Sequence, residues 1–132
     1  MLSVSPVLAA PVVIVVPDDY ASIQEAINHS GSGDTVFVKS GTYTENVVID
    51  KDNLMLIGES KETTIIDANG TGIVVYVEAN NSEISNFTLQ NSGSSLVDSG
   101  IYLNNSCNVF LSDNKLQWNH LGIYVSSSSN CV

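Results

Sequence analysis

Arginine is absent from the 132 residues of this chain, and its basic side chains are four lysines, Lys39, Lys51, Lys61 and Lys115. Nucleic-acid recognition leans on arginine's planar fork and on clustered positive charge, so nucleic acid is a poor partner for this composition. Fourteen acidic residues against four basic ones leave a formal net charge of -10 and an isoelectric point near 4.1. A long apolar run is missing too. Residues 1–16 are apolar but broken by Pro6 and Pro11, too short and too interrupted to span a bilayer. The small-residue pattern Val7-Leu8-Ala9-Ala10 resembles the end of a secretory signal without its positive beginning. Residues 1–10 are therefore expected to be a signal-peptide remnant or a tail before the first strand.

What is present is β-branched and polar. Ile, Val, Leu and Phe together make 41 residues, enough for a core and too many for a disordered chain. Ser and Asn make 33, which with Gly points to many short strands joined by tight turns. One helix signal stands out at 22–29. Ser22 and Glu25 have capping-box spacing, and Ile23, Ala26 and Ile27 share a face. Asp18 and Asp19 lie upstream, where a helix dipole favours negative charge. Gly31-Ser32-Gly33 stops the helix. Strands are then expected at 35–39, 46–50, 54–57, 64–66, 73–77, 84–89, 101–103, 109–111 and 123–125.

The strands repeat. Gly100-Ile101-Tyr102-Leu103 recurs as Gly122-Ile123-Tyr124-Val125 at an offset of 22, which Asn108 and Asn130 keep. Gly72-Ile73-Val74-Val75 matches the first of these at an offset of 28, and 84–90 matches 111–117 at an offset of 27. A helix-free period of this length suits a coil of three short strands and three turns. Stacked coils pair equivalent strands in parallel about 4.8 Å apart. The expected fold is an all-β, right-handed, single-stranded parallel β-helix over residues 11–132 with a short N-terminal capping helix. The core is expected to hold Ile73, Val75, Ile84, Leu89, Ile101, Leu103, Val109, Leu111, Leu116, Ile123 and Val125. Tyr102, Phe110 and Lys115 face outward in this register, and a slip of one residue would reverse every assignment.

Val16-Pro17-Asp18-Asp19-Tyr20-Ala21-Ser22-Ile23-Gln24-Glu25-Ala26-Ile27 followed by Gly33-Asp34-Thr35-Val36-Phe37-Val38 resembles the opening of pectin-lyase-like β-helix proteins. Gly41-Thr42-Tyr43-Thr44-Glu45-Asn46-Val47 and Leu56-Ile57-Gly58-Glu59 continue the likeness. Its nearest flavour is that of NosD-type periplasmic and surface proteins built from parallel β-helix repeats. The shared residues cap, turn and pack, so the resemblance speaks to fold more than to activity. It implies bends stacked in ladders, for instance around Asn86 and Asp113, and glycines at 41 and 58 with angles closed to side chains.

Catalytic chemistry finds little support. Gly41-Thr42-Tyr43-Thr44-Glu45 is similar to the first motif of pectin methylesterases, but Ser99 stands where that family carries a glutamine. Asn119-His120-Leu121-Gly122 stands in place of its Gln-Asp-Thr-Leu. A lyase on this fold would need a basic residue with calcium-holding carboxylates. An inverting glycosidase needs two carboxylates roughly 6.5–9.5 Å apart, and nothing in the sequence brings Asp98 and Asp113 face to face. No catalytic residue, metal site or cofactor is assigned. His29 and His120 lie far apart in a linear solenoid, and the copper association of NosD proteins has no Cys-His or Met cluster behind it here. Asp18, Asp19, Asp50 and Asp52 read as solvated acids rather than calcium ligands.

The binding candidates are Tyr102 and Tyr124, equivalent outward positions on neighbouring coils, with Trp118 between them in sequence. Stacked rings can dock the apolar faces of sugars or stabilise the sheet by pairing with each other. The function expected is that of an exported, cell-surface or periplasmic protein with a structural or adhesive role, with polysaccharide as the candidate partner and ring pairing within the sheet the favoured role of the tyrosines. The alternative is the N-terminal part of a carbohydrate-active enzyme with catalytic coils beyond residue 132. Cys107 and Cys131 sit roughly 8 Å apart in the 22-residue register, beyond disulfide reach, so two free thiols are expected with Cys131 inside. The last coil is expected to leave an open edge through which 100–132 self-associates. Five N-x-S/T sequons start at Asn28, Asn69, Asn80, Asn86 and Asn104.

Overall fold

A computed structural model describes residues 10–130. Thirteen short strands wind into a parallel β-helix of about five turns, and every named strand pair is parallel. Sheet A stacks β1 (Val13–Val16), β2 (Thr35–Val38), β5 (Met55–Gly58), β8 (Glu83–Ser85) and β11 (Phe110–Ser112). Sheet B stacks β3 (Gly41–Thr44), β6 (Thr64–Asp67), β9 (Thr88–Gln90) and β12 (Lys115–Gln117). Sheet C stacks β4 (Val47–Ile49), β7 (Val75–Val77), β10 (Ser99–Asn104) and β13 (Leu121–Ser126). From β2 onward the chain visits A, B and C in that order on each turn. No helix among the described residues is long and apolar enough to cross a membrane.

The single helix among the described residues, α1 (Ile23–Asn28), replaces strands in the first turn and buries Ile23, Ala26 and Ile27. Ser22 caps it by accepting from the Glu25 amide. The expected dipole partners are elsewhere: Asp18 pairs with Lys39 at 2.6 Å, and Asp19 accepts from the Val15 amide. Glu45 takes that position instead, its two oxygens accepting from the amides of Ile23 and Gln24. Lys51 donates to the Asn28 and Ser30 carbonyls at the other end. Acid on the amide end and base on the carbonyl end both favour the helix dipole. Glu45 closes the Gly-Thr-Tyr-Thr-Glu motif, so that part of the family likeness is a helix clamp.

Inside, side chains form vertical columns. Ile14, Val36, Leu56, Ile84 and Leu111 lie one above another in sheet A. Val47, Val75, Ile101 and Ile123 do the same in sheet C, as do Ile66, Leu89 and Leu116 in sheet B. The outward assignment of Tyr102, Phe110 and Lys115 agrees with this register, because Ile101 and Leu103 are buried on either side of Tyr102.

Several core expectations need correction. Ile123 and Val125 point inward but are half exposed, since no described strand lies over β13. Leu111 and Leu116 are only partly buried for the same reason. Ile73 is not a core residue; Val74 and Val75 are. The 28-residue alignment is two positions out, because Val75, not Ile73, pairs with Ile101. Parity survives a shift of two, so the faces stay right while the partners change. Residues 84–89 form the ends of two strands rather than one, split by Asn86 with φ 65°.

The corners explain the uneven period. Each C-to-A connector has five residues, 50–54, 78–82 and 105–109, with a left-handed Asn at its fourth place: Asn53, Asn81 and Asn108. Asn tolerates that conformation better than other side chains. The B-to-C connectors vary from 45–46 and 118–120 to the longer 68–74 and 91–98. Asn86 and Asp113 do stack at an A-to-B corner, both left-handed. Gly58 differs from the expectation. Its φ is ordinary, but a Cβ there would lie 2.2 Å from the Asn86 carbonyl oxygen.

Candidate functional site

The outer face of sheet C carries the aromatic candidates. Tyr76, Tyr102 and Tyr124 occupy equivalent positions on β7, β10 and β13, above Val48 on β4. Neighbouring ring centroids are 5.2 Å and 4.8 Å apart, and the planes meet nearly at right angles. Edge-to-face rings of this kind attract one another through their quadrupoles. Tyr76 was not among the sequence candidates, because the two-residue misalignment hid it. The ladder has three rungs, and the Tyr-x-Val of 75–77 is the signal that finds the first.

Beside the rings runs a polar column. Asn104 donates to the Tyr76 phenol at 2.8 Å, and that phenol donates to Glu78 at 3.3 Å. The phenols of Tyr102 and Tyr124 bond no described residue, which leaves both free for a ligand hydroxyl. Trp118 is 70% exposed and sits with φ 57° at the B-to-C corner of the last coil. It makes no ring contact with the tyrosines among the described residues. The connectors 68–74 and 91–98 stand at the same corner of earlier coils, joined where the Gly93 amide donates to the Gly72 carbonyl. Leu96 is almost fully exposed at the outer part of 91–98.

A second polar ladder reaches this corner along sheet B. Gln117 donates to Gln90 and Gln90 donates to Asp67, each at 2.8 Å, and Asn91 also donates to Asp67. Burial pushes the Asp67 carboxyl up, but donation from Gln90, the Asn69 amide and Asn91 outweighs it and holds the group below its ordinary value. The 27-residue offset already places Gln90 under Gln117. The role of Asp67 has no such signal, since it lies one coil below the matched segments.

The positions compared with esterase catalysis are occupied by the fold. Ser99 is fully buried, and its hydroxyl finds no partner among the described residues. The Asn119 amide accepts from the Ser92 backbone and donates to the Leu89 carbonyl. His120 is exposed and tied through its backbone to the Ser92 hydroxyl. Asp98 accepts from the Ser95 amide at a B-to-C corner, while Asp113 lies at an A-to-B corner of the next coil. They do not face each other. Cys107 is an exposed free thiol 3.3 Å from the Ser129 hydroxyl, and Cys131 lies outside the described residues.

No three His, Cys, Asp or Glu side chains among the described residues come together as a metal-binding set. His29 stacks on Tyr20 at 4.4 Å beside α1, four coils from His120. Met55 lies on sheet A and Cys107 at a C-to-A corner. These donors do not fit a copper centre, whose soft and imidazole ligands must converge.

Comparison with known proteins places this geometry. A family model described as periplasmic copper-binding protein (NosD) matches residues 27–132. Pectinesterase 1 of Arabidopsis thaliana is 41% identical over 71 residues, half of this chain and 11% of that protein. Among solved structures, a pectin methylesterase in complex with a hexasaccharide matches 96% of this chain with a TM-score of 0.67 at 18% identity. Pectin methylesterase PemA from Erwinia chrysanthemi matches 96% with a TM-score of 0.60 at 17% identity. The chain spans 49% of each of those two structures, and at such identity they share its fold alone.

Proposed function

Because this chain belongs to the NosD family, whose description is that of a periplasmic protein, we propose that it works outside the cytoplasm as a structural and adhesive rod that docks polysaccharide on the outer face of sheet C. The observation that carries this reading is the ladder of Tyr76, Tyr102 and Tyr124 in register on three successive strands. A column of rings along the solenoid axis matches a repeating ligand laid along the same axis. Ring faces take the C–H faces of sugars, free phenols take hydroxyls, and Glu78 and Asn104 add polar partners at the side. Trp118 supplies a further exposed ring at the neighbouring corner.

The test is a glycan array followed by calorimetry with Tyr102→Ala, Tyr124→Ala and Trp118→Ala. Loss of about tenfold or more in affinity for the double tyrosine variant, with its urea midpoint little changed, supports the reading. Equal affinity in all variants, or no glycan bound at all, overturns it.

A second reading is that the whole protein is a carbohydrate-active enzyme, with this stretch as its non-catalytic beginning. The likeness to pectinesterase 1 over 71 residues favours it. The described coils then act as a platform beside a site built elsewhere in the protein. Turnover of methyl-esterified pectin by the full-length protein, unaffected by Ser99→Ala, would support this second reading. The copper in the family description finds no converging donors among the described residues, so no step is routed through it.

A further inference from the structure

We propose that Asn69 is an acceptor site for an N-linked glycan, and that it is the one sequon of five that the folded chain presents. Transfer to a sequon needs an asparagine amide free to react and an accessible hydroxyl two residues later. The fold withholds one or both from the other four. Ser30, Ser82, Thr88 and Ser106, the hydroxyl residues of the sequons at 28, 80, 86 and 104, are all buried. All four hydroxyls donate inside their own coil or to its neighbour: Ser30 to Ile27, Ser82 to Asn80, Thr88 to Lys61, and Ser106 to Val77 and Asn104. Three of the four asparagines are engaged through their side chains as well. Asn28 accepts from the Gln24 side chain, Asn80 from the Cys107 amide, and Asn104 donates to the Tyr76 phenol. These sequons are corner and core residues whose spacing happens to fit the pattern.

Asn69-Gly70-Thr71 is different. All three residues are exposed at the connector 68–74. The Asn69 backbone is held by its amide donating to Asp67, while its side chain bonds no described residue. Asn69 and Gly70 both take left-handed angles, φ 54° and 79°, and the Gly70 amide donates to the Asn91 carbonyl of the next connector, which fixes the tight turn. The Thr71 backbone is anchored through its amide to Ala68 and its carbonyl to Asn46, and its hydroxyl bonds no described residue. A rigid base under a free amide and a free hydroxyl is what a transferase acting on a folded chain requires.

The co-reactant is an oligosaccharide joined through pyrophosphate to a lipid carrier. The Asn69 Nδ2 forms a bond to the anomeric carbon of the first sugar, and the bond from that carbon to the pyrophosphate oxygen breaks. The lipid pyrophosphate leaves with the electron pair, and one Nδ2 proton goes to solvent. No oxidation state changes.

The experiment incubates the purified folded chain with a single-subunit oligosaccharyltransferase and its lipid-linked oligosaccharide, beside a urea-unfolded sample. The expected result is one glycan increment by intact mass on the folded chain, mapped to Asn69, and further increments on the unfolded one. Thr71→Ala, which leaves Asn69 in place, should abolish the folded-chain increment. Asn69→Gln should do the same. An unmodified folded chain beside a modified unfolded one overturns the proposal, and so does an increment mapped to Asn28, Asn80, Asn86 or Asn104.

Discussion

The side-chain amide of Gln24 pairs with both backbone groups of Val48, as a neighbouring strand would. Its Nε2 donates to the Val48 carbonyl at 3.1 Å, and its Oε1 accepts from the Val48 amide at 2.7 Å. With Glu45 and Lys51 holding the two ends of α1, the segment 45–51 grips the helix at three points. The lower edge of β4 is thereby closed without a further strand. Gln24→Ala should lower stability by about 1 kcal/mol, because water replaces the lost partners only in part. The urea midpoint checks the loss. Light scattering should also show more self-association, as the freed edge offers unpaired groups.

Gly58 and Gly122 make a paired test of close packing. A methyl group at Gly58 would press on the Asn86 carbonyl, whereas nothing lies within 4 Å at Gly122. Gly58→Ala should cost about 1–3 kcal/mol through overpacking. Gly122→Ala should stay within about 0.5 kcal/mol of the parent. Equal midpoints for the two variants would refute the close approach.

Acid should destabilise this rod through two aspartates. Asp34 accepts from the amides of Gly31 and Val12, which holds its carboxyl below the ordinary 3.8. Asp67 is held low by its three donors despite burial. A group with a folded pKa below its unfolded value gives stability that is full above the unfolded value and lost as pH falls through the folded one. Stability should therefore be flat from neutral down to about pH 5 and then fall. Asp34→Asn and Asp67→Asn should each flatten that acid limb in denaturant titrations at several pH values.

The half-exposed Ile123 and Val125 on β13 should make a chain of these 132 residues self-associate. Ile123→Glu with Val125→Lys should keep it monomeric across a concentration series in light scattering. A monomeric parent chain at high concentration would count against this. Cys107 should react with an alkylating reagent under native conditions, and peptide mapping should find the label there.

Fold was far more legible than site. Short apolar runs with Asn and Gly between them have a period, and a period that includes no helix leaves few architectures. The 22-residue offset named the partners in β10 and β13 correctly, because both strands lead into the same kind of corner, with Asn108 and Asn130 left-handed at equivalent places. The 28-residue offset failed where Gly72, at φ 69°, is a turn residue and Gly100 belongs to β10. Two glycines that look alike in sequence do different work. Glu45 as the clamp on α1 was invisible, since its partners are 21 and 22 residues back and no periodicity links a helix to a coil. The unpartnered state of Asn69 was equally hidden, because a sequon reads the same whether its hydroxyl is buried or free.

The constant five-residue corner between sheets C and A has a consequence for how such a rod can change. With one corner invariant, the phase of every turn is reset once per coil, whatever length the other corners take. Insertions between sheets B and C cannot accumulate into a slipped register, so that side of the rod is free to diversify. It is also the side next to the tyrosines. A lineage can therefore reshape the rim of the docking face coil by coil while the spine opposite stays the same, much as teeth are recut on a rack without altering its pitch.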